Sequence, residues 1–225
     1  MNMPFYVAPE QMMKDRADYA RKGIARGRAL AALTYDDGIV ICAENSSNTL
    51  RKVSEIYDRI AFGGVGRYNE FDQLRIAGVR HADMKGYQYS REDVDARSLA
   101  NQYAQLLGQT FTHEMKPMEV EVLVAEIGYE PADDQMFHIV YDGTVADKQQ
   151  YVVIGGEAQE ISDRLAEAYS EGLTLTKAIQ AAAGALAGPD RTLVADDLEV
   201  AVLARSADRR TFQRIEAEEL DAQLG

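Results

Sequence analysis

Ala25-Arg26-Gly27-Arg28-Ala29-Leu30-Ala31-Ala32-Leu33-Thr34-Tyr35-Asp36-Asp37-Gly38-Ile39-Val40-Ile41-Cys42-Ala43-Glu44-Asn45 is the stretch whose reading decides the fold. It reads as two short strands around a tight turn. Residues 28–34 are small and apolar, and residues 39–43 are a largely β-branched run. Between them Tyr35-Asp36-Asp37-Gly38 carries turn chemistry, with Gly38 free to take a positive φ.

Outward from this hairpin, Pro9 and Glu10 suit the first turn of a helix. Proline lacks the N–H that would be unpaired there, and the acid sits near the positive end of the dipole. Met13, Ala17, Ala20 and Ile24 repeat at helical spacing, with Gly23 as the expected terminator. Residues 1–8 read as a short unanchored arm. After the hairpin, residues 46–54 read as a loop, and 59–65 as an apolar strand ending in Gly63-Gly64-Val65-Gly66. A helix starts near Gly66 and Asn69, with Phe71, Leu74, Ala77 and Gly78 on one face, and residues 82–90 read as a loop. Leu99, Tyr103, Leu106, Leu107, Thr110 and Phe111 define a second helix over 98–114.

Val120, Val122 and Val124 alternate with Glu119, Glu121 and Leu123, a strand with one wetter end. Residues 136–141 return as its hairpin partner, and 151–154 form a short strand closed by Gly155-Gly156. Two helices follow: one on Ile161, Leu165 and Ala168, the other capped by Thr174, carrying Leu175, Ala178, Ile179, Ala182 and Leu186, and stopped by Gly188-Pro189. Residues 198–204 and 211–215 make a last hairpin, and 216–225 an acidic tail. Helices come in consecutive pairs and strands in hairpins. A doubly wound parallel sheet would alternate strand and helix. The order fits an α+β protein: two antiparallel sheets face to face, with a helix pair on each outer side. With no linker or repeat in view, 1–225 reads as one domain.

Composition, at 46% hydrophobic and 27% charged, allows a sizeable core. A net charge of −13 argues against nucleic acid or an anionic membrane surface as partner. A single cysteine excludes an intrachain disulfide. Residues 1–7 lack the basic and apolar regions of a signal peptide, and no run approaches the ~20 apolar residues of a membrane span, so a cytoplasmic protein is expected.

Little local chemistry stands out. Gly63-Gly64-Val65-Gly66 matches neither phosphate-binding pattern and reads as glycines for a strand-to-helix turn. His81, His113 and His138 match no zinc spacing, so no metal or cofactor is expected. Cys42, inside an apolar strand, reads as a small buried hydrophobe, with a nucleophile as the alternative. Glu44 is either one acid of a site or a structural partner at a strand end. Arg21, Lys22, Arg26 and Arg28 suit a helix C-terminus or a contact with an acidic neighbour. Arg51, Lys52 and Arg59 are either solvated or receive a carboxylate.

Three stretches together carry a resemblance: Tyr19-Ala20-Arg21-Lys22-Gly23-Ile24-Ala25-Arg26-Gly27; Asp37-Gly38-Ile39-Val40-Ile41-Cys42-Ala43-Glu44-Asn45; and Ser54-Glu55-Ile56-Tyr57-Asp58-Arg59-Ile60. With Tyr141-Asp142-Gly143-Thr144 and Val153-Ile154-Gly155-Gly156, the chain resembles the proteasome α-type subunits, in wording most like the actinobacterial ones, over nearly its whole length. The resemblance implies a four-layer αββα sandwich with an extra N-terminal helix over 9–23.

Active members of that wider family work through an N-terminal threonine, an aspartate after the second strand and a lysine. By the resemblance their places fall near Arg28, at Glu44 and near Arg59. The first strand starts with arginine behind a helix, and a guanidinium cannot share its proton near neutral pH. The resemblance therefore implies no catalytic residue and a ring and gating role. A homo-heptameric ring would cap β-subunit rings in an α7β7β7α7 core, through which protein substrates pass. Met1, Asn2, Met3, Pro4, Phe5, Tyr6, Val7 and Ala8 match the gate arm, without the Tyr-Asp-Arg pattern of archaeal and eukaryotic relatives. Residues 112–117 fall on the annulus below it. Tails of hydrophobic-Tyr-X type, from a ring-shaped ATPase or from ATP-independent activators, would place their carboxylate on Lys52 or Arg59. The alternatives are a self-sufficient amidohydrolase of the same fold using Cys42, and an oligomeric scaffold without a pore.

Overall fold

Helix α1 (Pro9–Ala25) leads into strand β1 (Leu30–Tyr35) and its hairpin partner β2 (Gly38–Glu44) in the computed structural model, which describes residues 8–47 and 49–225. β1 and β2 pair antiparallel from Leu30↔Ala43 to Tyr35↔Gly38. The turn needs glycine: Gly38 has φ +153°, and a Cβ there would lie 2.0 Å from the Leu203 carbonyl oxygen. Strands β3 (Val53–Tyr57) and β4 (Ile60–Gly66) follow, then helices α2 (Tyr68–Gln88) and α3 (Ala96–His113). Strands β5 (Val120–Glu126), β6 (Gln135–Ile139), β7 (Val145–Lys148) and β8 (Tyr151–Ile154) come next. Helices α4 (Ala158–Ala168) and α5 (Leu175–Ala187), strands β9 (Leu198–Ala204) and β10 (Phe212–Ile215), and helix α6 (Ala217–Leu224) complete the order.

The strands form two five-stranded sheets, β10-β9-β2-β1-β8 and β3-β4-β5-β6-β7, antiparallel throughout. Side-chain alternation divides each strand between two layers. Ala31, Leu33, Val40 and Cys42 face α4, α5 and α6. Leu30, Ala32, Ile39 and Ile41 meet Leu123 and Ala125 between the sheets. Val120, Val122 and Val124 face α2 and α3. Because β1 and β2 are buried on both faces, they read as continuous apolar runs, as a four-layer sandwich requires.

Several expectations change. Gly23 does not end α1, which runs on to Ala25. Its missing side chain makes room for the Glu119 carboxylate, which a Cβ would meet at 2.1 Å. Residues 82–88 are helix rather than loop: Lys85 bonds Asp95 at 2.7 Å and Ser98 at 3.0 Å, and Gly86 packs on the Tyr57 hydroxyl. These tertiary contacts outweigh the weak helical tendency of glycine. Val53 and Ser54 belong to β3, paired with Gly63 and Phe62. Strand β7 is unannounced, a short and largely exposed edge strand. The strand expected over 136–141 ends at Ile139, whereas Thr174 caps α5 by accepting from Lys177 N–H and β8 and β9 have the expected limits. The wetter end of β5 is explained by Glu121, which accepts from Gly155 N–H at 3.0 Å and meets His138 at 3.2 Å.

Candidate functional site

The chain enters β1 through Arg28 and Ala29, beside the end of β2, where Glu44 N–H donates to the Ala29 carbonyl at 3.1 Å. This brings Arg28 and Glu44 together. The Glu44 side chain is buried and its carboxylate is claimed from two sides. Arg28 Nη1 donates to Oε1 from one. From the other, Arg191 reaches in from beyond α5, with Nη1 2.7 Å from Oε1 and Nη2 3.3 Å from Oε2. Arg191 is itself held by the carbonyls of Leu186 at 3.0 Å and Ala187 at 3.2 Å. A cleft of about 500 Å³ opens here, lined by Gly27, Arg28, Glu44, Gly156, Glu160 and Arg191 among others.

The cation that joins this pair is Lys52, not Arg59. Lys52 Nζ donates to the carbonyls of Arg28 at 2.8 Å and Glu44 at 3.0 Å. Burial lowers its pKa to about 8, against the opposing pull of Glu44 and Glu199 and with a further push from Arg28. Arg59 lies in the β3–β4 turn. Its Nε donates to the Ile127 carbonyl at 2.8 Å, Nη2 donates to the Gly128 carbonyl, and the guanidinium lies 4.4 Å from the Tyr129 ring centroid. β3 starts at Val53, which sets Lys52 rather than Arg59 beside the Arg28 and Glu44 carbonyls. At the start of β1 position 28 carries no hydroxyl side chain, and the Arg28 backbone nitrogen is a peptide amide.

Behind Lys52 is a buried polar group that the sequence did not signal. Glu199, on β9, is 3% exposed. It receives Asn45 Nδ2 and Lys52 N–H on Oε2, each at 2.8 Å. On Oε1 it receives Arg214 Nη1 at 2.7 Å and Val53 N–H at 3.2 Å. Neither Glu199 nor Arg191 had a local signature, since their partners lie far along the chain. The one clue was an acid inside the apolar run of β9.

Cys42 is fully buried against the α4–α5 layer, and burial pushes its thiol up to about 12, so it presents no thiolate. His81 borders an open groove between α2 and α3, His113 Nδ1 lies 3.2 Å from the Gln109 carbonyl, and His138 pairs with Glu121. Among the described residues no cluster of His, Cys, Asp or Glu is placed to hold a metal ion. The basic run does not act as one patch: Arg21 Nε donates to the Tyr141 hydroxyl at 2.8 Å, Lys22 and Arg26 point to solvent, and Arg28 serves Glu44.

Of the expected gate arm, Met1 to Val7 lie outside the described residues. Ala8 stands at the N-cap of α1 and accepts Met12 N–H at 3.1 Å. Of residues 112–117, Thr112 and His113 finish α3 and the rest form a braced loop. Arg16 Nη1 donates to the Phe111 carbonyl at 2.7 Å and the Glu114 carbonyl at 2.5 Å. Lys116 Nζ pairs with Glu70 at 2.6 Å and Glu119 at 3.1 Å. Between these clamps Met115 stands free to solvent.

A family model described as "Proteasome subunit" matches residues 24–203. The chain is 60% identical over 225 residues to a protein named "Proteasome subunit alpha" from Acidimicrobium ferrooxidans, covering 100% of this chain and 97% of that one. It is 55% identical over 226 residues to one of the same name from Sanguibacter keddieii, covering 98% and 89%. It is 52% identical over 226 residues to another from Thermomonospora curvata, covering 100% and 98%.

Proposed function

This chain belongs to the proteasome subunit family, and from that premise we propose that it is a non-catalytic α-ring subunit of a 20S core. It would form the outer heptameric ring, admit protein substrates to the chamber of β subunits, and dock the activators that feed it. The observation that carries this reading is the start of β1. Where an N-terminal nucleophile would stand there is a mid-chain arginine, and the neighbouring carboxylate is spent on two guanidinium groups. Among the described residues lining the cleft none carries a hydroxyl that an amine could activate. The Cys42 route to a self-sufficient amidohydrolase lacks an exposed, ionisable thiol.

In this reading residues 1–225 act as one unit in the cytoplasm. Met1–Ala8 form the gate arm and 112–117 face the axial passage. Of the two cations considered for activator docking, Lys52 fits better than Arg59. An ammonium has three donors and Lys52 spends two on carbonyls, leaving one for an incoming carboxylate. Arg59 keeps free donors of its own but lies elsewhere, bonded to the Ile127 and Gly128 carbonyls and over the Tyr129 ring, apart from the Arg28–Glu44 pair. Among the described residues no helix is long and apolar enough to cross a membrane.

The test is hydrolysis of a fluorogenic peptide. The purified chain alone is expected to be silent, and to gain activity only when assembled with a β-type partner whose threonine is intact. An adduct of a threonine-directed inhibitor on this polypeptide would refute the reading.

A further inference from the structure

We propose that Glu199 is the positioning residue that fixes Lys52 for its carboxylate ligand, an inference that rests on the reading of Lys52 as the docking cation. Lys52 precedes β3 and would otherwise hang from the polar segment after β2. Its backbone is instead held on both sides. Its N–H donates to Glu199 Oε2 at 2.8 Å, and its carbonyl accepts Gly64 N–H at 2.9 Å from β4. The same Glu199 oxygen holds Asn45 Nδ2, which also donates to the Leu50 carbonyl at 2.8 Å. One carboxylate oxygen thus ties both ends of the segment that carries Lys52. The other oxygen takes Val53 N–H and Arg214, and Arg214 also donates to the Val53 carbonyl.

A carboxylate buried this deeply is stable only when its lone pairs are filled, and here four donors fill them. Because those donors come from β10, from the first residue of β3 and from the segment between β2 and β3, Glu199 sets the position of Lys52 relative to the carbonyls of Arg28 and Glu44. Lys52 Nζ is then aimed by its backbone as well as by its own two hydrogen bonds. The charged groups around it are Glu44 at the end of β2, Arg28 at the entry to β1 and Glu199 behind it. Glu199 would not touch the ligand; it would act through Lys52.

The experiment compares two peptides on the assembled complex with the β partner. One ends in hydrophobic-Tyr-X with a free carboxylate, and the other is its C-terminal amide. The ratio of their dissociation constants isolates the carboxylate. In the parent complex the free acid is expected to bind ~10-fold tighter, the scale of one charge-assisted bond. Lys52→Met should bring the ratio near one. Glu199→Gln keeps the lysine and its charge yet should reduce the ratio at least threefold, because the amide group turns a donor toward donors and lets Lys52 shift. A purely structural loss would weaken both peptides alike and leave the ratio unchanged, and that result in an intact ring overturns the inference. Should Glu199→Gln fail to assemble, Asn45→Ala decides. It keeps three donors on the carboxylate and frees the Leu50 end, so it should lower the ratio about twofold; an unchanged ratio overturns the proposal. If Lys52→Met itself leaves the ratio intact, the docking reading falls, and with it this one.

Discussion

Lys52 and Gly23 show how single residues here answer to burial rather than to local propensity. With its pKa lowered to about 8, Lys52 gives up its proton within an accessible range. The unfolded chain holds that proton up to the ordinary lysine value of ~10.4. Between the two values the unfolded state therefore binds more protons, and this group's contribution to stability rises with pH. Docking runs the other way, because a carboxylate wants the ammonium. Binding of a free-acid activator peptide should hold between pH 6 and 7 and weaken several-fold by about pH 9, while the amide peptide stays level. A fluorescence titration at each pH checks it, and a flat free-acid profile would remove Lys52 from the role. At Gly23, alanine would ordinarily favour the helix by about 1 kcal/mol. Its Cβ, however, must displace a carboxylate held by Arg67 and Lys116, each at 3.1 Å. Steric cost and lost pairing should prevail by roughly 1–2 kcal/mol, a Tm drop of about 3–6 °C, read by thermal unfolding of Gly23→Ala.

Helix α1 is anchored at its inner face by Ala20 and Ile24, and through Arg16 it braces the loop after α3. Ala8, the last residue of the proposed gate arm, is therefore held at the N-cap of α1. On the gating role proposed for it, deleting Met1–Ala8 should speed hydrolysis of peptides longer than about ten residues, while di- and tripeptide substrates change little; their short chains pass a narrow opening either way. Equal rates for long peptides with and without the arm would contradict gating. What could be read from the chain at this scale followed burial. β1, β2, β8 and β9 lie between two apolar layers, and their runs of Ala, Val, Ile and Leu carry that signal openly. The end of α2 and strand β7 did not, because long-range partners decide them. Lys85 finds Asp95 across a turn, and β7 exists as the edge partner of β6. The candidate site divides in the same way. Glu44 stands where a strand ends and could be picked out. Arg191 and Glu199 enter it from more than a hundred residues away in the chain; no local pattern marks Arg191, and Glu199 shows only as an acid inside an apolar run.

In the whole molecule, methionines are spread so that they report on the assembly. Met115 is 97% exposed, Met84 61%, Met12 43% and Met136 only 1%. Peroxide oxidises an accessible thioether to the sulfoxide, so the lone chain should be modified in that order. Met12 lies on α1 with Met13 and Tyr19, and Met84 at the end of α2 with Tyr87 and Tyr89, two separate groups of large exposed apolar side chains. Such groups mark contact surfaces, and assembly of rings should cover them. Met115 stands on the loop proposed to face the axial passage, where water and peroxide still enter. In the complex with the β partner, oxidation of Met12 and Met84 should slow at least threefold relative to the lone chain, and that of Met115 should not. Peptide mass mapping after a timed peroxide pulse measures all four sites in one experiment, with Met136 as the buried reference. Protection of Met115 alongside the others would put the loop in a subunit contact and remove it from the passage. Protection of none would mean these apolar groups lie outside the contacts that build the ring.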